Sequence, residues 1–209
     1  MPKMKRKTKK AMKQALLIPI MLSIVFVVVS FLAMHQSNER SEPILLSEEV
    51  ENHQQTVEKY AKQYGVSEYV DVILAMMMQE SSGRGKDPMQ ASESYCGERH
   101  CIQDPELSIR QGVKYFSQNL QEADGDIELA VQAYNFGKGF IDYVKKETGS
   151  YSQDIAIDFS QQMYQNAPNK SIYTCLREEA KQYNACYGDI YYVRDVMAYK
   201  DVIASRVNN

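Results

Sequence analysis

Glu80 ends a run of apolar residues and begins a run of small ones, a placement that suits an acid catalyst. Val72, Ile73, Leu74, Ala75, Met76, Met77 and Met78 lead up to it without a charge, and Ser81, Ser82, Gly83 and Gly85 come after it, then Asp87-Pro88-Met89-Gln90. A helix that is apolar on all sides is buried in a core. A carboxyl delivered at the end of such a helix sits at the core's edge. There desolvation raises its pKa and keeps the proton on near neutral pH, as a general acid requires. The bland alternative is that Glu80 is the first solvated residue after a buried helix. Two other places offer polar chemistry: the amide of Gln90 beside Met89, and Tyr134-Asn135 within Ala133-Tyr134-Asn135-Phe136-Gly137. Singly, each has an ordinary reading. Gln90 is a loop amide, Tyr134 a half-buried phenol that needs a partner, and Asn135 a residue at a helix end.

The elements that must position these groups read as helices. Ser47 before Glu48 and Glu49 is an N-cap with acids in the first turn. Val50, Val57, Tyr60, Ala61 and Tyr64 then fall at helical spacing, with Gly65 as a stop. Ser67 caps the helix that carries Val70, Ile73, Leu74 and Met77 to Glu80; the three consecutive Met residues read as adaptable core packing. Residues 91–101 read as a loop. Asp104-Pro105 is a strong helix start, followed by a stripe of Ile109, Val113, Phe116 and Leu120. Gly112 inside that helix costs ~1 kcal/mol relative to Ala, which implies close approach of another backbone. Asp126 caps a helix through Ile127, Ala130, Val131 and Tyr134. Shorter helices lie around Phe140–Val144 and Ile155–Met163, residues 166–186 are polar and ambiguous, and Ile190–Ile203 returns to the core. No alternating strand pair or hairpin signal occurs. The expected fold is mostly α, a single domain.

Charge and hydropathy divide the 209 residues unevenly. Seven of the 24 basic residues lie in residues 1–13, leaving 17 against 27 acidic ones for everything after Lys13. An acidic body excludes nucleic acid as a partner. Residues 14–38 carry no charge, and the apolar part spans about the ~20 residues needed to cross a hydrocarbon core. With the basic block before it, the positive-inside rule places the rest of the chain outside the cell. The expected organisation is a basic cytoplasmic tail at 1–14, a single-pass signal-anchor at 15–34, a linker at 35–46 and a helical domain at 47–209. A cleaved signal peptide, with secretion, is the alternative. It is disfavoured by the length of the run and by the poor cleavage site at Ser30-Phe31-Leu32-Ala33. The four cysteines allow three pairings. Local pairing, Cys96 with Cys101 and Cys175 with Cys186, is the expectation, in an oxidising compartment. The spacings lack a C-x-x-C unit, so no metal is expected, and no cofactor.

Three motifs in order resemble a known superfamily. MMMQESSG, then DPMQASES, then QAYNFGKGFIDYV are similar to the Glu-Ser pair, the Gly-Leu-Met-Gln segment and the Ala-Tyr-Asn-x-Gly motif of goose-type lysozymes and soluble lytic transglycosylases. DPMQASES, DPELSIRQGVKYF and the closing YGDIYYVRDVMAY resemble the CwlT-type lysozyme domain, with which pneumococcal vaccine antigen A-like proteins of Gram-positive surfaces are grouped. The resemblance covers Ser47 to Lys200. It implies a lysozyme-like domain and peptidoglycan as the partner, with Glu80 as the single catalytic acid protonating the β-1,4 bond between N-acetylmuramic acid and N-acetylglucosamine. Ser81 would help orient that carboxyl, Met89 and Gln90 would line the glycan groove, Tyr134 would hydrogen-bond near Glu80, and Asn135 would position substrate or water. Asp87-Pro88 departs from the Gly-Leu of the wider pattern. Asp87 and Glu93 are therefore the candidates for a second carboxylate, with loop-stabilising or solvated roles as the alternative. Such a pair would lie ~5–5.5 Å apart in a retaining enzyme and ~6.5–9.5 Å in an inverting one.

Three functions compete on these residues. A membrane-anchored muramidase is preferred, with a lytic transglycosylase giving 1,6-anhydro ends as its near variant. The second is a non-catalytic, surface-displayed wall-binding module with the same fold. The third is a single-pass protein whose helical domain binds another protein.

Overall fold

The chain divides into two units, Met1–Ile44 and Leu45–Asn209. The computed structural model describes residues 46–207, all in the second unit, and Phe26 in the first. The expected membrane span at 15–34 thus lies, Phe26 aside, outside the described residues. No helix among those described is long and apolar enough to cross a membrane.

The second unit is helical, with no strand among its described residues. In chain order the helices are α1 (Glu48–Asn52), α2 (Gln54–Gln63), α3 (Val70–Ser81), α4 (Ser92–Cys96), α5 (Pro105–Glu122), α6 (Ile127–Phe136), α7 (Gly139–Glu147), α8 (Gln153–Asn166), α9 (Glu178–Lys181) and α10 (Tyr192–Val207). Helix α3 is the axis, with Val72 through Met77 all buried. α10 packs along it and α2 against it; α5 lies between α2 and α6, and α6 also meets α10. An apolar helix needs neighbours on every side, and these supply them.

The expected caps form. Ser47 Oγ accepts from Val50 N, Asp104 from Glu106 N and Leu107 N, and Asp126 Oδ1 from Leu129 N. Four local expectations need correction. The single helix expected from Ser47 to Tyr64 breaks at His53 into α1 and α2. The short α1 instead lies on the turn that ends α3: Ser47 Oγ donates to Ser82 O at 2.7 Å, and the His53 ring pairs with Gly83 O at 3.2 Å. Gly83 has φ +76°, and a Cβ there would meet Val50 N at 2.6 Å, so the turn accepts only glycine. Ser67 makes no side-chain cap; a 3-10 turn at Ser67–Tyr69 precedes α3, which begins at Val70. The expected loop at 91–101 contains α4, whose first amide hydrogens, at Ala91 and Ser92, find an acceptor in Asp87. Gly112 is approached not by a backbone but by side chains. A Cβ there would lie 2.7 Å from Met89 Cβ and 2.8 Å from the Tyr134 hydroxyl.

Both local disulfides form, Cys96–Cys101 beside α4 and Cys175–Cys186 across the ambiguous segment. The second closes a strap that carries α9 and leads into Gly188-Asp189, just before α10.

Candidate active site

Packing of α10 along α3 brings together two residues 112 apart in sequence. The Tyr192 hydroxyl, near the start of α10, donates to Glu80 Oε1 at 2.7 Å on the last turn of α3. Tyr192 is buried, and Glu80 is half-buried with one side open to a cleft. Burial pushes the Glu80 carboxyl up to about 7; the Tyr192 hydrogen bond works against the rise, and the charges of Asp87 and Asp189 add to it. Burial and the proximity of Glu80 push Tyr192 well above the ordinary phenol range, so it stays a donor. A carboxyl at about 7 carries its proton on roughly half the molecules at neutral pH, the poise suited to general acid work.

The 81–92 turn builds the cleft floor. Ser81 Oγ donates to Pro88 O at 2.7 Å and accepts from Arg84 N at 3.1 Å, so its bonds hold the turn rather than the Glu80 carboxyl. Asp87 is buried, 7 % exposed, and accepts four hydrogen bonds. These come from Ala91 N at 2.9 Å, Ser92 N at 3.0 Å, Ser92 Oγ at 2.6 Å and Ser108 Oγ at 2.6 Å. Ser108 Oγ in turn accepts from Met89 N. Met89, expected to line the groove, is instead fully buried under Gly112, and its carbonyl, rather than Glu80, accepts from the Tyr134 hydroxyl at 2.8 Å. Gln90, at φ +47°, stands exposed in the cleft with Nε2 donating back to Asp87 O. Glu93 sits on the rim, exposed and paired with Arg99 at 3.0 Å.

On the facing wall, Asn135 Oδ1 accepts from Asp189 N at 2.7 Å. Gly188 makes that contact possible, since a Cβ there would lie 2.7 Å from the same oxygen. Glu80, Gln90, Tyr134 and Asn135 thus share one cleft of about 350 Å³. It adjoins a hollow of about 310 Å³ towards Tyr115 and Tyr187, and another of about 640 Å³ towards Ile172 and Leu176; all three share Glu93 and Asn135.

Sequence reasoning missed Tyr192 and Asp189 as site residues, and missed Ser92 and Ser108 as partners of Asp87. Tyr192 lies within YGDIYYVRDVMAY, which pointed to a family without assigning its members roles. Among the described residues no cluster of three or more His, Cys, Asp or Glu is arranged to hold a metal.

A helical domain that holds a half-buried carboxyl at the end of its central apolar helix, open to a polar cleft, is the architecture of a lysozyme-like protein. The chain belongs to the family described as Lysozyme-like, whose model matches residues 47–200. It is 44% identical over 158 residues to the bifunctional muramidase/DL-endopeptidase CwlT of Bacillus subtilis, covering 76% of this chain and 44% of that protein. An uncharacterized membrane protein of B. subtilis, YocA, is 35% identical over 188 residues, 84% of this chain and 83% of that one. Pneumococcal vaccine antigen A homologues of Streptococcus pyogenes are similar at 42% over 107 residues, half of this chain and 54% of theirs. A Staphylococcus aureus crystal structure described as similar to lipoprotein, NLP/P60 family, superposes with a TM-score of 0.65 at 36% identity, covering 75% of this chain and 54% of that one. The chain therefore spans only about half the length of several of these relatives.

Proposed function

We propose that this protein cleaves peptidoglycan glycan strands as a muramidase, with Glu80 as the general acid at the β-1,4 bond between N-acetylmuramic acid and N-acetylglucosamine. The observation that carries the reading is a carboxyl raised to about 7 by burial, held by Tyr192, and open to a polar cleft. The name of the 44% identical relative, a muramidase, agrees with it. Glu80 gives its proton to the glycosidic oxygen as the bond breaks and positive charge builds on the muramic ring. Gln90 and Asn135 offer amides to sugar hydroxyl or N-acetyl groups along the cleft. Ser81, Met89 and Tyr134 act one layer back, fixing the turn that shapes the floor.

A near variant, lytic transglycosylation, is favoured by a specific observation. Asp87 is committed to four donors, and Glu93 is an exposed rim residue in a solvent-open pair with Arg99, so neither is a buried, free carboxylate beside Glu80. The substrate's own N-acetyl or 6-hydroxyl group can then complete the displacement, the latter leaving a 1,6-anhydro end. Mass spectrometry of digested wall separates the two. Reducing muramic acid ends are expected, and exclusively 1,6-anhydro ends would replace hydrolysis by transglycosylation. Loss of all cleavage in both the native protein and Glu80→Gln, with wall binding retained, would leave a binding module instead.

We further propose that residues 15–34 anchor the chain in the membrane with the helical domain outside. The name of YocA, a membrane protein similar over 84% of this chain, supports this, as do two disulfides suited to an oxidising compartment. Protease treatment of intact cells should remove the domain and spare the tail; protection of the domain would refute the topology.

A further inference from the structure

Arg177 has no part in the proposed reaction, yet it makes the most developed ion pair of the molecule's described part. From the strap closed by Cys175–Cys186, Arg177 Nε donates to both oxygens of Asp189 at 2.8 and 3.0 Å. Its Nη2 reaches Asp189 Oδ2 at 2.7 Å and also Asp195 on α10. Asp189 is only 6 % exposed. Its main chain is bound on both sides: Asp189 N donates to Asn135 Oδ1 on α6, and Asp189 O accepts from Gln132 Nε2 on α6 and from Tyr192 N. Asp189 Oδ1 accepts from Tyr191 N as well. The contacts of Asp189 thus join the start of α10, where Tyr192 lies, to Asn135 in the cleft wall.

We propose that Asp189, clamped by Arg177, is a positioning residue that holds Tyr192 on the Glu80 carboxyl and Asn135 in the cleft wall, so that the disulfide-closed strap is part of the catalytic apparatus. The assignment rests on Glu80 being the acid. A bidentate guanidinium–carboxylate pair fixes both distance and plane, and a lysine would supply the charge without the fork. A hydroxyl displaced by a fraction of an ångström no longer steers the carboxyl, and reaction geometry is that sensitive. The pair also carries charge. The groups that face Glu80 are Asp87 from the turn, Tyr134 from α6, Tyr192 from α10 and Asp189 ahead of it. Arg177 offsets the charge of Asp189.

The test measures kcat and KM of the full chain on soluble glycan fragments across pH, with the Glu80 carboxyl followed by carbon NMR. Arg177→Gln should lower kcat about tenfold with KM within about twofold, and Arg177→Lys should recover part of the loss. The Glu80 titration should move upward by ~0.5 unit or more in Arg177→Gln, where the charge of Asp189 is no longer offset and Tyr192 is no longer held on the carboxyl, and should return part of the way in Arg177→Lys. A merely structural role would lower stability and leave both that titration and the split between kcat and KM unchanged. Native kcat in a cooperatively melting Arg177→Gln, or a Glu80 titration unmoved in that variant, would overturn the assignment. Turnover surviving in Glu80→Gln would instead remove the acid reading, and the NMR titrations would still decide whether Asp189 positions that carboxyl.

Discussion

Two carboxylates seven residues apart, Glu80 and Asp87, face the same cleft and have opposite chemistry. Asp87 accepts four hydrogen bonds, two from backbone and two from serines, and its charge is the hub of the 87–92 turn. Glu80 accepts one, from Tyr192, and burial lifts its pKa to about 7. Burial alone does not make an acid. What separates the two is how each is used: four donors tie Asp87 into the turn, whereas Glu80 has one partner and a side open to the cleft. The turn built by the first carboxylate is the floor on which the second would work.

The comparison is broken most forcefully by removing the acid. Glu80→Gln keeps the shape and loses the proton, so turnover on purified peptidoglycan should fall about 10³-fold, within the range for a positioned general acid. The same variant should gain stability at alkaline pH. The folded-state pKa of Glu80 is raised, so its contribution is fully present below the unfolded value of 4.5 and is lost as pH rises through about 7. Native protein should therefore lose about 2 kcal/mol relative to Glu80→Gln between pH 4 and pH 8. This figure is discounted for the side of the carboxyl open to solvent, and denaturant melts at the two pH values check it.

Asp87→Asn should do the reverse. It puts an amide among four donors and leaves several unpaired, costing about 3 kcal/mol of stability, measured by denaturant midpoint; activity should fall with unfolding and with the lower Glu80 pKa that loss of the Asp87 charge brings. Wild-type stability with abolished turnover would make Asp87 a direct participant.

Tyr192→Phe removes the one donor on Glu80. That bond favours the charged form, so its loss raises the Glu80 pKa. The alkaline limb of the pH–rate profile should move upward, and kcat at neutral pH should fall about fivefold from lost orientation. Glu93→Gln is the mildest. An exposed rim pair with Arg99 contributes little, and activity should stay within about twofold; a large loss would return Glu93 to candidacy as the second carboxylate.

Much of this was readable in the chain. The apolar run ending at Glu80, the caps at Ser47, Asp104 and Asp126, and the local cysteine pairs follow from short-range rules, and each is present. The motifs containing Gln90, Tyr134 and Asn135 were placed in order, and the fold brings them to one cleft with Glu80. Contacts that depend on tertiary approach were not readable. Tyr192 meets Glu80 across 112 residues, and no periodicity marks which tyrosine of Tyr191-Tyr192 turns inward. Gly112 announced a close approach, but only the packed structure shows that Met89 and the Tyr134 hydroxyl make it. Asp87 looked like spare acid because its donors, Ser92 and Ser108, lie in two different elements. The strap at 166–186 gave no helical pattern because a disulfide and the Arg177–Asp189 pair hold it rather than an apolar stripe.

The central claim is that burial keeps a proton on Glu80 at neutral pH. Carbon NMR of a selectively labelled Glu80 carboxyl, titrated from pH 3 to pH 9, measures that directly. A midpoint near the value of about 7 set by the surroundings is the predicted result, and one close to the ordinary 4.5 would contradict it.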